Sequence, residues 1–180
     1  MKTRRWLVFF IFFALLLGPR VAQANQSSDL SEQLHFSAED TGVKHPVDIP
    51  KDVLTILSKD GTVESVLENE NIKPVDLPGS WFSASALHLN GHTRRDLIVV
   101  GQPPVSGGSV AMFWVFHGTT HGYELVLAAA AHNLIIRNTR WKGYRDIELR
   151  QATAGQVSTI LCRFNGKQYT KYAAKSEPIH

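Results

Sequence analysis

The order of apolar and polar positions along the chain divides it into stretches of different period. Residues 25–48 carry several serines and few large apolar side chains, a pattern that predicts a flexible N-terminal arm. Pro50 suits the first position of a helix, and Val53, Leu54 and Leu57 then fall on one helical face. Asp60 and Gly61 end that helix, and Thr62 is placed to cap a second one over 63–69, with Val66 and Leu67 turned inward. The two short helices, within 50–69, are expected to cover a sheet.

After Pro78-Gly79 the helical period gives way to short strand-like runs separated by turn residues. A first unit, 81–131, holds strands over 81–87, 96–100, 110–116 and 123–128. The run Val110 to Phe116 is apolar on both faces, which places it in the middle of a sheet. A second unit, 132–172, repeats this order with strands over 134–137, 147–150, 157–164 and 167–172. Ile147 and Leu149 alternate with Glu148 and Arg150, as in a half-exposed strand. Asn165-Gly166 carries the residue preference of a type I′ hairpin turn. The expected fold class is α+β and mainly β: two repeated units of about four antiparallel strands, preceded by short helices, in a single β-rich domain over 49–180.

The repeat rests on Arg95-Asp96-Leu97 and Arg145-Asp146-Ile147, fifty residues apart. A strand ending in an aromatic follows each, with Phe116 taken as the counterpart of Phe164. Four-stranded units have the size of propeller blades, but two do not close a ring that needs at least four. A two-unit sandwich, an open barrel or an oligomer completing something larger satisfies the pattern.

Composition changes this picture at the N-terminus. Lys2, Arg4 and Arg5 precede an unbroken apolar run from Trp6 to Leu17, and Ala22 and Ala24 follow with the spacing that signal peptidase reads. Twelve apolar residues fall short of the roughly 20 that span a bilayer. Residues 1–24 are therefore expected to be a signal peptide cut after Ala24, with a secreted or periplasmic product and no stable membrane anchor after cleavage. The leader carries four basic residues and no acids, so the mature chain holds fifteen Lys and Arg against sixteen Asp and Glu. That near-neutral balance offers no electrostatic case for nucleic acid or anionic membrane. Cys162 is the single cysteine and lies in an apolar strand pattern, where a buried inert thiol is expected.

The stretch Leu89-Asn-Gly-His-Thr-Arg-Arg-Asp-Leu-Ile-Val-Val-Gly101 resembles the FG-GAP, or VCBS, repeat of integrin-type β-propellers, over about fourteen residues with a fainter copy at 139–149. Residues 81–85 with the following Asn-Gly loop also resemble uncharacterised secreted bacterial proteins. The repeat implies an acidic calcium loop. Here His88 and His92 stand at the family's aspartate positions and Thr93 at a glycine, so one carboxylate remains where calcium wants several oxygens. No cofactor is expected. Asn90, Gly91, Asp96 and Asp146 are instead read as loop-structuring, the aspartates accepting hydrogen bonds from loop amides.

Two histidine pairs of equal spacing, His88 with His92 and His117 with His121, are the remaining metal candidates, but both fall in loops, where spacing fixes nothing. Trp141 and Tyr144 flank charges in the Arg140–Arg145 loop, and exposed aromatics beside arginine are the usual anchors of a binding surface. Trp141, Tyr144, Arg140 and Arg145 are therefore the expected binding residues. The functional expectation is a non-enzymatic binding module for another extracytoplasmic protein, such as an inhibitor or envelope component. A carbohydrate-binding module using the same aromatics, and a metal-dependent hydrolase using the four histidines, are the alternatives.

Overall fold

The computed structural model describes residues 32–39 and 43–178. The expected leader and cut site, and residues 25–31 of the expected arm, lie outside the described residues. Two α-helices, α1 (Lys51–Leu57) and α2 (Gly61–Asn69), precede eight of the nine strands among the described residues. A four-stranded antiparallel meander follows, with β2 (Phe82–Leu87), β3 (Asp96–Gly101), β4 (Ala111–Thr119) and β5 (Gly122–Ala131) in sequence order. A second meander holds β6 (Asn133–Trp141), β7 (Tyr144–Thr153), β8 (Gln156–Phe164) and β9 (Tyr169–Pro178). A fifth strand, β1 (His35–Ser37), pairs antiparallel with β6 at its edge. The fold is α+β and mainly β, as the periodicity predicts.

Side-chain alternation explains the layering. Ile98, Val100, Phe113 and Val115 point into one core that also contains Leu134, Ile136, Ile147 and Leu149, so the two sheets pack face to face. Their neighbours Leu97, Val99, Trp114 and Phe116 point the opposite way, against Val53, Leu57, Val63 and Leu67 of the helices. The first sheet is thus the middle layer, and β3 and β4 are apolar on both faces for that reason. Asp60 ties the layers together: its Oδ1 accepts from Thr62 N, and its Oδ2 accepts from the Trp114 indole at 3.0 Å. Asp60, and not Thr62, is therefore the cap of α2, and Gly61 begins that helix instead of closing α1.

Three further expectations change. Within the expected arm, Phe36 is fully buried in the inter-sheet core, which is why His35–Ser37 adds to the second sheet. The type I′ geometry belongs to Lys142-Gly143, both at positive φ, so the expected loop over 138–146 is a tight hairpin. At Asn165-Gly166 only the glycine has positive φ, and Asn165 Oδ1 accepts from both Lys167 N and Gln168 N to shape a longer turn. Finally, Leu97 faces Phe116 and Ile147 faces Cys162, so the counterpart of Phe116 is Cys162 and not Phe164.

Candidate functional site

The two aspartates of the repeat occupy equivalent positions. Each stands one residue before the first paired residue of its hairpin, opposite His117 in one case and Arg163 in the other. Each also accepts from a group seven residues upstream, Leu89 N for Asp96 and Thr139 Oγ1 for Asp146. What surrounds them differs.

Asp96 is fully buried. Its Oδ2 accepts from Leu89 N at 2.7 Å, and its Oδ1 accepts from His117 Nδ1 at 2.7 Å and from Gly118 N at 3.0 Å. Both carboxylate oxygens are thus engaged by groups of the protein. Gly118 is needed there, because a Cβ would run into the Arg95 carbonyl. Leu89, so placed, turns its carbonyl to the second unit, where it accepts from Arg145 N at 2.7 Å and Arg140 Nη1 at 3.5 Å. Asn90 Oδ1 accepts from His92 N and closes the turn over Gly91, which is exposed and keeps an ordinary backbone.

His117 continues inward to an aromatic cluster. With the ring proton on Nδ1, facing Asp96, its Nε2 lies 3.4 Å from the Tyr144 hydroxyl. Tyr144 stacks on Phe164 with centroids 4.2 Å apart, and Phe164 contacts Tyr169. Tyr169 donates to the Arg145 carbonyl, and burial, reinforced by nearby Asp96, raises its phenol pKa far above the ordinary value. Cys162 is buried beside this cluster, and burial raises its thiol pKa as well, consistent with an unreactive thiol.

These contacts redistribute the sequence-predicted residues. Of the four expected binding residues, Tyr144 and Arg145 turn inward, with Arg145 Nη1 3.4 Å from Glu32 Oε2, and Arg140 is tied to the Leu89 and Gly143 carbonyls. Trp141 remains exposed, at the end of a strand and not in a loop. The four histidines go to separate places: His88 Nδ1 to Glu32 Oε1 at 2.6 Å, His117 to Asp96, and His92 and His121 to the exposed surface. Among the described residues no three His, Cys, Asp or Glu come together as a metal site.

Asp146 differs from the expectation that it accepts from loop amides, since both its hydrogen bonds come from side chains. Thr139 Oγ1 donates to Oδ2 at 2.9 Å and Arg163 Nε to Oδ1 at 3.3 Å. Held from below, the Arg163 guanidinium lies 3.8 Å from the Tyr172 ring centroid and 5.0 Å from that of Trp141. Trp141 is 46% exposed and Tyr172 42%. An aromatic–arginine–aromatic arrangement thus stands on the outer face of the second sheet. Two residues along β7, on the same face, buried Glu148 accepts from Arg137 Nη1 and Arg150 Nε, whose side chains are about half exposed.

Arg163, Arg137 and Arg150 were not singled out from sequence. The available signal was the period-two spacing of Asp146, Glu148 and Arg150, which puts all three on the face opposite Ile147 and Leu149. Chemically, the seam around Asp96 fixes two loops against each other, whereas the outer face offers rigid aromatic area and unspent guanidinium donors. No family model, no curated protein and no solved structure matches the chain.

Proposed function

We propose that this chain is an extracytoplasmic, non-enzymatic binding module that contacts another protein through the outer face of its second sheet, with Trp141, Arg163 and Tyr172 as the central contact. The single observation that carries this reading is the exposed cation–π arrangement held in place by buried Asp146. Trp, Tyr and Arg are the residues in which binding energy concentrates, and they are most effective when their rotamers are fixed before the partner arrives. Here the guanidinium is fixed by a buried carboxylate and the rings by the guanidinium. A sugar platform offers its ring faces to the sugar; here the guanidinium already lies over both rings, which favours a protein partner over a glycan. The basic head, the apolar run over 6–17 and the Ala22/Ala24 spacing are the sequence features that support the compartment.

The test is in-cell crosslinking of the tagged chain with and without the double substitution Trp141→Ala and Tyr172→Ala. A specific crosslinked species lost in the variant supports the reading. A species formed equally by both chains removes this face from consideration.

A further inference from the structure

The near-neutral charge of the mature chain conceals a strong segregation. Residues 133–178, which form β6 to β9, carry nine Lys and Arg against three Asp and Glu. Residues 25–132 carry six basic residues against thirteen acidic ones. Two of the three acids in the second sheet, Asp146 and Glu148, are buried. The third, Glu177, pairs with Lys175. The segment as a whole therefore keeps a surplus of six basic residues, nine less three, with Asp146 and Glu148 partly neutralising the arginines above them.

The arginines are also pre-aimed. Arg150 and Arg163 reach their buried carboxylates through Nε, and Arg137 reaches Glu148 through one Nη. A guanidinium has five N–H donors in a planar fork, so Arg150 and Arg163 each keep both terminal nitrogens for a further acceptor. Holding the fork by its inner edge removes much of the rotamer entropy that a free surface arginine loses on binding. The basic residues extend from Arg137 on β6 to Lys175 on β9, across four strands and about 14 Å at the usual strand spacing. That breadth suits an extended chain or a protein surface better than one small anion.

We infer that the partner of this face is an acidic polypeptide surface, whose Asp and Glu side chains pair with Arg137, Arg150 and Arg163 around the Trp141 and Tyr172 anchors. The inference rests on the binding reading above and adds the charge of the partner. Complementary charge of this extent steers encounter and selects among partners, so binding should be strongly salt-sensitive.

The direct test uses fluorescein-labelled poly-L-glutamate as the probe, measured by anisotropy with the purified protein, beside alginate and double-stranded DNA as polyanions of other classes. The expected result is that poly-L-glutamate binds most tightly and weakens about tenfold or more as salt rises from about 0.1 M to about 1 M, where the Debye length falls from about 10 to about 3 Å. The triple substitution Arg137→Gln, Glu148→Gln and Arg150→Gln, which leaves no buried charge unpaired, should weaken it by a similar factor. Should that variant unfold, Lys175→Gln on the exposed edge strand β9, in register through Thr159 with Arg150, provides a second reduction of the charge of this face and should also weaken binding. Tighter binding of alginate or DNA, or poly-L-glutamate binding indifferent to salt and to both variants, overturns the inference. If the natural complex is lost in Trp141→Ala/Tyr172→Ala but is insensitive to salt and to the charge variants, the aromatic contact stands and the acidic partner falls. If arginine-dependent poly-L-glutamate binding persists in the aromatic variant, the acidic partner stands and the aromatic contact falls.

Discussion

Asp96 and Asp146 hold the same place in two similar hairpins, and they do opposite things with it. Asp96 accepts from two backbone amides and a histidine, all turned toward the seam between the sheets. Asp146 accepts from two side chains, one of them an arginine that continues to the surface between aromatic rings. The residue opposite the carboxylate decides the outcome. His117, short and flat, joins a buried aromatic cluster with Tyr144 and Phe164. Arg163, long and charged, runs its stem along the sheet and carries its guanidinium out to the rings of Trp141 and Tyr172. One scaffold position thus serves as an internal staple in the first unit and as the footing of a presented surface in the second.

Substitution at Asp96 should have the largest effect. Asp96→Ala leaves two buried amides and a histidine without their acceptor, and urea denaturation should show a loss of about 3 kcal/mol. A loss below about 1 kcal/mol would mean that the staple is dispensable. Next comes Gly118→Ala, where the new methyl meets the Arg95 carbonyl beside the same staple; the expected loss is about 2 kcal/mol. Asp146→Ala should lower stability by only about 1 kcal/mol, because Arg163 is partly solvated and can turn to water. It should instead loosen the arginine between the rings, visible as a shift in Trp141 fluorescence.

The smallest effect is read through pH. Tyr169 is kept protonated by burial above the pH at which an unfolded tyrosine, with a pKa of about 10, ionises. Its folded pKa is raised, so its contribution to stability is complete below about pH 10 and declines as pH rises above that value. Tyr169→Phe should cost about 1 kcal/mol at neutral pH through the lost hydrogen bond to Arg145, and should flatten the decline above pH 10. Melting curves of both chains from pH 7 to pH 11 compare the slopes.

Much of the architecture could be read from the apolar period. Ile98, Val99, Trp114 and Val115 specify a middle layer because they alternate without a polar gap, and two facing cores follow from that. Asp96 was legible too, as a lone carboxylate at a strand entry. Three things were hidden. Three residues around Phe36 are too short a pattern to announce β1 inside a polar stretch. The tight hairpin falls at Lys142-Gly143, although the stronger turn residues are Asn165-Gly166, because Asn165 spends its side chain on two amides of a longer turn. The partner of Asp146 was hidden because His117 lies 21 residues after Asp96 while Arg163 lies 17 after Asp146. Counting along the chain therefore aligned Phe116 with Phe164, and only the register brings Arg163 beneath Trp141. Tyr144 and Arg145 turn inward for the same reason, since a tight hairpin packed on the Leu89 carbonyl places them against the first unit, while Arg140 stays exposed but spends donors on the Leu89 and Gly143 carbonyls.

The outer face of the second sheet is the proposed binding surface, and the seam beneath it holds the fold. This division of roles is tested most directly by measuring crosslinked complex and melting temperature together for Trp141→Ala/Tyr172→Ala. The expected result is loss of the complex with a melting temperature lowered by no more than about 4 °C, the equivalent of roughly 1 kcal/mol in a domain of this size. A complex formed at the wild-type level would contradict it.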